Sequence, residues 1–370
     1  MREEPAWGAG RPARSLAVSE ASISVNGQAS DSSSSRDRVQ GSSVQFRGAT
    51  RVFPGNDVPA VNDVTMDIAP GELVVLLGTS GSGKTTLLKM VNRLEEPTSG
   101  TILVNGENVQ SLPAASLRRH IGYVIQQAGL FPHMRVRDNV AVVPRLLKWD
   151  KALIEARVVE LLDLVGLPDH AFGQRYPTQL SGGEQQRIGL ARALAAEPPT
   201  LLMDEPFGAL DAITRRRLQD ELRRIHKLLA PTILFVTHDV DEAIRLADRI
   251  AVMRGGKLLQ VGTPLDLILH PADEFVSDLV GANDAIRRMR LIPVEAAILP
   301  GDATSANGHP RLESGATLHE AFNLLLLENH DSLAVTDGSG EVRGMVTMES
   351  LREAVNGNTP DPSAEPLTAG

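Results

Sequence analysis

The sequence predicts an α/β fold built on a parallel sheet, and three observations carry that prediction. Five consecutive apolar residues, Leu73–Leu77, run directly into Gly78-Thr79-Ser80-Gly81-Ser82-Gly83-Lys84-Thr85, and the stretch from Thr86 to Val91 behind it holds good helix formers and no breaker. Two later apolar runs, Leu201–Met203 and Ile233–Val236, end in Asp204-Glu205 and Thr237-His238. Open α/β sheets place their ligands at the carboxyl ends of strands in this way. Beyond residue 283 the pattern changes, and a small separate α+β piece follows.

The glycine-rich stretch fits the spacing G-x-x-x-x-G-K-[ST] between a buried strand and a helix. Glycines at 78, 81 and 83 let backbone N–H groups turn inward onto phosphates where a Cβ would clash. The helix N-terminus adds partial positive charge at the same place. A nucleotide site is therefore expected from Gly78, Ser80, Gly81, Ser82, Gly83, Lys84, Thr85 and Thr86, with Lys84 on the β- and γ-phosphates and Thr85 on Mg²⁺. A plain glycine turn is the rival reading, and the intact flanks argue against it. Asp204 would join the metal shell and Glu205 would activate water. Taken alone, Asp-Glu after a strand is more often a helix start; the phosphate loop reverses that balance.

Bulk composition narrows the classes. The 370 residues allow a large core and more than one domain. With 37 basic against 46 acidic residues the net charge is −9, which disfavours nucleic-acid binding through a broad basic face. The absence of cysteine excludes disulfides, thiolate metal sites and cysteine nucleophiles, and suits a cytoplasmic protein. No run approaches the roughly 20 apolar residues of a spanning helix, so the chain is not expected to form a pore.

In chain order, residues 1–43 are serine-rich with little apolar periodicity and are expected to be disordered; no apolar stretch follows the early arginines, so no signal peptide is expected. Strands are expected at Val44–Phe46 and Val61–Ile68 around a turn at Pro54–Asp57, then at Thr101–Val104 entering an Asn105-Gly106 turn, and at Ile121–Ile125. Residues from about 129 to 180 read as mostly helical, with an amphipathic helix from Ala152 to Val165 stopped at Gly166.

Leu180-Ser-Gly-Gly-Glu-Gln-Gln-Arg187 resembles the signature motif of ATP-binding cassette (ABC) ATPases. The other motifs of that family follow in order over residues 44–282: Phe53 where an aromatic stacks on adenine, Gln126 in the Q-loop, Gly208-Ala-Leu-Asp211 in the D-loop, and His238 as the switch histidine. The resemblance implies an ABC-type P-loop NTPase domain with a mixed sheet core, an antiparallel β part and a helical subdomain at about 129–180. It implies that Gln126 also serves the Mg²⁺, and that Ser181, Gly182 and Gly183 cap the γ-phosphate of ATP held by another copy, beside Asp211. One set of motifs per chain then requires a head-to-tail second subunit. Glu205, His238 and Lys84 would be the catalytic residues. Each has a bland rival: an N-cap for Ser181, a structural histidine for His238, a core aromatic for Phe53. Glu184 stands where many members have glutamine, and Ala212 where close relatives often have proline.

Ile121–Gln127, Gly129–Met134, Leu146–Trp149, Met203–Asp211 and Pro271–Phe275 look like the ATPase subunit of quaternary-amine importers, which take up glycine betaine, choline, carnitine or proline. That resemblance implies a separate membrane permease, an extracytoplasmic solute-binding protein acting indirectly, no nucleic acid, and a peripheral place on the cytoplasmic face of the membrane. Residues 283–356 carry a capping box at Thr317–Glu320 opening a helix to Glu328, then Ser332–Thr336, an Asp337-Gly338 turn, Val342–Thr347 and a helix near Ser350–Val355. This resembles a single cystathionine-β-synthase (CBS) repeat, with Ile292–Ala297 at most a remnant of a second. Regulation by ionic strength or an adenine nucleotide and mere support of a dimer both stay open. Residues 357–370 are expected to be disordered.

Two rivals belong to other classes. A soluble ABC ATPase of DNA repair or translation would carry a coiled-coil insertion or two cassettes, and this sequence has neither. A small-molecule kinase would leave Leu180–Arg187 and His238 without a purpose.

Overall fold

The computed structural model describes residues 41–126, 129–300, 306 and 308–358. Apart from residues 41–43, 357 and 358, the two terminal segments expected to be disordered lie outside the described residues. The chain divides into two compact units between Leu259 and Gln260.

The strands are, in chain order, β1 (Val44–Arg51), β2 (Val61–Ile68), β3 (Leu73–Leu77), β4 (Ser99–Val104), β5 (Glu107–Asn108), β6 (Ile121–Val124), β7 (Thr200–Asp204), β8 (Thr232–Thr237), β9 (Arg249–Arg254), β10 (Lys257–Gly262), β11 (Arg311–Glu313), β12 (Ser332–Thr336) and β13 (Val342–Thr347). Three sheets result, ordered β2-β1-β4-β5, β10-β9-β3-β8-β7-β6 and β11-β12-β13.

The six-stranded sheet positions the site. β3 lies parallel between β8 and β9, and β7 lies parallel between β8 and β6. All five residues of β3 and all of β7 and β8 are buried, as central strands covered on both faces must be. Burying one such Leu or Val side chain contributes about 1.5–3 kcal/mol, so this sheet is a firmly packed platform for the loops it carries.

The antiparallel sheet grows out of alternation. β1 and β2 bury Val44, Phe46, Val61, Val64, Met66 and Ile68 on one face. The first strand runs past the expected Val44–Phe46 to Arg51 because Gly48, at φ +60°, absorbs a register shift against β2 and β4. Asn105 and Gly106 both adopt positive φ, 52° and 80°, and close the expected two-residue hairpin.

Helices Val136–Leu146, Lys151–Leu164 and Asp169–Phe172 occupy the region expected to be helical. The second buries Ile154, Arg157, Val158, Leu161 and Leu162 at helical spacing and ends at Gly166, whose φ of +68° gives the stop its geometry. Arg157 sits in that buried stripe because Glu160 lies 2.9 Å and Glu197 3.7 Å away and the Leu194 carbonyl accepts from it.

In the second unit, Thr317 and Glu320 form the expected capping box and the helix spans Leu318–Glu328. β12 pairs with β13 antiparallel and with the short β11 parallel. Residues Val294–Ala297 form a single 3₁₀ turn, and Val294 and Ala297 enter a core with Leu318, Leu325, Leu333, Val335 and Val346. Leu265 and Leu269, from helix Pro264–Leu269, pack on that same core, which is why the division falls at 259/260.

Candidate active site

Parallel registration brings the chemistry together. Leu77 stands opposite Thr237, and Asp204 opposite Val236, so the carboxyl ends of β3, β8, β7 and β6 form one edge. The phosphate loop, His238, Asp204-Glu205 and Gln126 leave the sheet along it.

Two of the loop's glycines, Gly78 and Gly83, are required by contact as well as by phosphate geometry. A Cβ on Gly78 would stand 2.2 Å from the Met253 carbonyl oxygen, and one on Gly83 2.2 Å from that of Ala60. Both residues also hold positive φ. The side chain of Lys84 is buried, donating to the carbonyls of Gly78 at 2.8 Å and Thr79 at 2.9 Å and to Ser82 Oγ at 3.3 Å. Burial pushes its ammonium below the ordinary lysine value, and the charges of Glu205 and Asp204 oppose that shift. Ser82 is buried; Ser80 and Gly81 are exposed; Thr85 and Thr86 open helix Lys84–Val91 and are half-buried.

Thr85 donates its hydroxyl to Asp204 Oδ1 at 2.8 Å. Burial raises the Asp204 carboxyl above the ordinary aspartate value, and the Thr85 hydrogen bond and Lys89 pull it back. A hydroxyl and a carboxylate are hard oxygen donors, the chemistry Mg²⁺ selects, and Mg²⁺ characteristically takes one or two protein ligands beside nucleotide phosphates. The donor set fits. Among the described residues no cluster of three or more His, Cys, Asp or Glu offers a protein-only metal cage.

Glu205 is the centre of the edge. Gln126 Nε2 donates to its Oε2 at 3.1 Å, and His238 Nδ1 lies 3.0 Å from its Oε1. Its own N–H donates to the Val236 carbonyl, and its φ of +46° is left-handed, an unusual conformation for a residue with a side chain. The carboxylate is thereby aimed along the strand ends. Gln126 presents its amide nitrogen to Glu205.

The remaining candidates lie outside this hydrogen-bonded cluster. Arg51 stacks over the Phe53 ring at 4.7 Å and covers one face of the ring expected from the sequence to stack on adenine. Ser181 caps helix Gly182–Leu194 and forms a capping box with Glu184, whose Oε2 accepts from Ser181 N at 2.7 Å and Oγ at 2.9 Å. Those bonds hold the Glu184 carboxylate below its usual range. Glutamine offers the same acceptor oxygen, which explains why Glu184 serves here. Ser181 and Gly182 are exposed, and a Cβ on Gly183 would stand 3.2 Å from Leu210, so the signature turn lies against the D-loop. Asp211 caps helix Ala212–Leu229 through the N–H groups of Ile213 and Thr214.

Sequence reasoning passed over Tyr123, whose buried hydroxyl has no hydrogen-bond partner and whose ionisation is pushed up by burial and by Asp204. Strand alternation alone gave it no signal.

Comparison with known proteins decides the family. Residues 61–208 match the ABC transporter model, and residues 310–357 match the CBS domain. The chain is 46% identical over 316 residues to an osmoprotectant import ATP-binding protein of Salmonella typhimurium, covering 84% of this chain and 81% of that one. The chain belongs to the ABC transporter ATP-binding proteins. As an ABC ATPase it also shares 49% identity over 294 residues with a choline transport ATP-binding protein of Bacillus subtilis, covering 79% of this chain and 75% of the relative. A dimeric ATP-binding cassette solved after hydrolysis with ADP and Pi superimposes with a TM-score of 0.56 at 31% identity, over 60% of this chain and 98% of that one. The ABC ATPase fold binds ATP, and a CBS domain follows it in this chain.

Proposed function

We propose that this chain is the ATP-hydrolysing subunit of an importer for a quaternary-amine osmoprotectant of the glycine betaine, choline, carnitine or proline type. It works through a separate membrane permease, with an extracytoplasmic solute-binding protein acting indirectly and the subunit peripheral on the cytoplasmic face. The observation that carries the reading is the Glu205 carboxylate held between Gln126 and His238, beside the Thr85–Asp204 pair, in a chain so similar to osmoprotectant importer subunits. Among the described residues no helix is long and apolar enough to cross a membrane.

Residues 44–282 form the ATPase domain in this reading and 283–356 the CBS-like piece. Lys84 and the loop amides hold the β- and γ-phosphates, with Gly78, Ser80, Gly81, Ser82, Gly83 and Thr86 shaping the cradle. Thr85, Asp204 and Gln126 would hold Mg²⁺, which supplies charge neutralisation at the phosphates. Glu205 takes the proton of an in-line water, and His238 contacts both that water and the γ-phosphate. Phe53 stacks on adenine. Ser181, Gly182, Gly183 and Asp211 serve the nucleotide of a second, head-to-tail copy, so ATP closes two subunits and hydrolysis releases them.

The test is reconstitution with a membrane permease partner, followed by a screen of solutes for stimulated ATP hydrolysis. Stimulation by a quaternary amine supports the proposal. Stimulation by an unrelated solute alone, or by none, overturns it.

A further inference from the structure

His238 is mostly exposed, yet it must meet Glu205 and a phosphate with ångström precision. What fixes it is visible on helix Ala212–Leu229, which starts at the D-loop residue Asp211. Arg215 donates from Nη2 to the Leu210 carbonyl at 3.2 Å and places Nη1 3.5 Å from Asp239 Oδ2. One turn on, at the i+4 position of the same helix face, Gln219 donates Nε2 to Glu242 Oε1 at 2.9 Å, and both side chains are nearly inaccessible, at 6% and 5%. Glu242 in turn takes a hydrogen bond from the Thr237 side chain. Within the turn, Asp239 N donates to Thr237 Oγ1 at 3.0 Å and Glu242 N to Asp239 Oδ1 at 3.1 Å. Thr237 and Asp239 flank His238, so each neighbour of the histidine is tied to the D-loop helix by its own rung.

We propose that Arg215, Gln219 and Glu242 are positioning residues for ATP hydrolysis, coupling the placement of the D-loop helix to the placement of His238. The inference rests on the reading of His238 given above. A buried carboxylate is costly unless its oxygens are occupied, and here they are occupied by the two groups whose separation the device must hold. Burial raises the Glu242 carboxyl above its ordinary value, with Thr237 and Gln219 opposing that shift, as expected of a desolvated group held by directed bonds. The side chains facing it are Gln219 and Arg215 from the long helix and Thr237 and Asp239 from its own turn. A signal at the subunit seam, felt at Asp211, would reach the catalytic edge through two side-chain contacts.

The experiment measures kcat and KM for Mg·ATP on the full chain, with fluorescent-nucleotide affinity and thermal midpoint on the same preparations. Glu242→Ala is expected to lower kcat about tenfold while KM stays within about twofold, because the phosphate loop is untouched. Glu242→Gln, which can still accept from Thr237 and pair with the Gln219 amide, should recover most of the rate. In a His238→Ala background, Glu242→Ala should add no further loss. Arg215→Met alters a side chain 34% exposed, so it tests the second rung without endangering the fold, with about a threefold drop in kcat expected. Unchanged kcat in Glu242→Ala and Arg215→Met, a KM that rises in parallel, or full additivity with His238→Ala would each overturn the coupling. Full turnover by His238→Ala alone would instead overturn the role given to the histidine.

Discussion

Gln186, on the helix behind the Ser-Gly-Gly turn, donates its side-chain amide to the Ile125 carbonyl at 3.2 Å. Ile125 is the residue before Gln126, so one buried side chain joins the signature helix to the segment that touches Glu205. Replacing Gln186 by Leu leaves that carbonyl unpaired and should cost about 1–3 kcal/mol. Gln186→Glu should be worse, because a carboxylate would face a carbonyl oxygen in a buried place. Thermal melting that ranks Glu at or above Leu would show that the bond is not what Gln186 contributes.

Lys84→Ala should abolish ATP binding or weaken it severely. The lysine holds the carbonyls of Gly78 and Thr79, so both a phosphate partner and a brace of the loop are lost. Titration with a fluorescent ATP analogue reads this directly, and unchanged affinity would remove the loop from the site.

Glu205→Gln should bind ATP, hydrolyse it very slowly and accumulate as a closed dimer. The amide is a near-isostere that can still accept from Gln126, but it cannot take a proton from water. Size exclusion with ATP and phosphate release decide the matter, and normal turnover would place the base elsewhere.

Asp204 carries a pH prediction. Its folded carboxyl lies above the ordinary value of 3.8, chiefly through burial. Its contribution to stability is therefore complete below that pH and is lost as pH rises through the raised value, where a charge must form with poor solvation. Asp204→Asn keeps an acceptor for Thr85 and removes the charge. Its melting temperature without nucleotide should fall less between about pH 4 and pH 7 than that of the parent chain. Parallel curves would mean that Asp204 ionises as freely as an exposed carboxyl.

Ala212 occupies the first position of its helix, where neither capping bond of Asp211 uses its N–H. Proline fits that position and restricts the unfolded chain, so Ala212→Pro should stabilise by about 0.4–1 kcal/mol. A lowered melting temperature would show that the D-loop cannot accept a fixed φ.

The phosphate loop was legible because four specified positions coincide over eight residues between an apolar run and a helical one, and Asp204-Glu205 because the buried run ahead of it is unbroken. The second unit was legible from the capping box at Thr317 and Glu320. Other features left no local trace. The continuation of β1 depends on a bulge at Gly48, and the left-handed Glu205 is imposed by its bond to Val236 on a neighbouring strand. Glu242 looks like any acid in a first helical turn, and only the fold puts Gln219, 23 residues earlier, against it. Helix Pro264–Leu269 follows the ATPase motifs in sequence but gives Leu265 and Leu269 to the C-terminal core, a choice made by packing alone.

The backbone twist at Glu205 sets durability against work. A side chain at φ +46° carries a conformational cost that glycine would not, on the order of 1 kcal/mol. On the role proposed for this carboxylate, a laboratory search that rewarded only resistance to heat would drift toward glycine at this position and return a sturdier protein that no longer burns fuel.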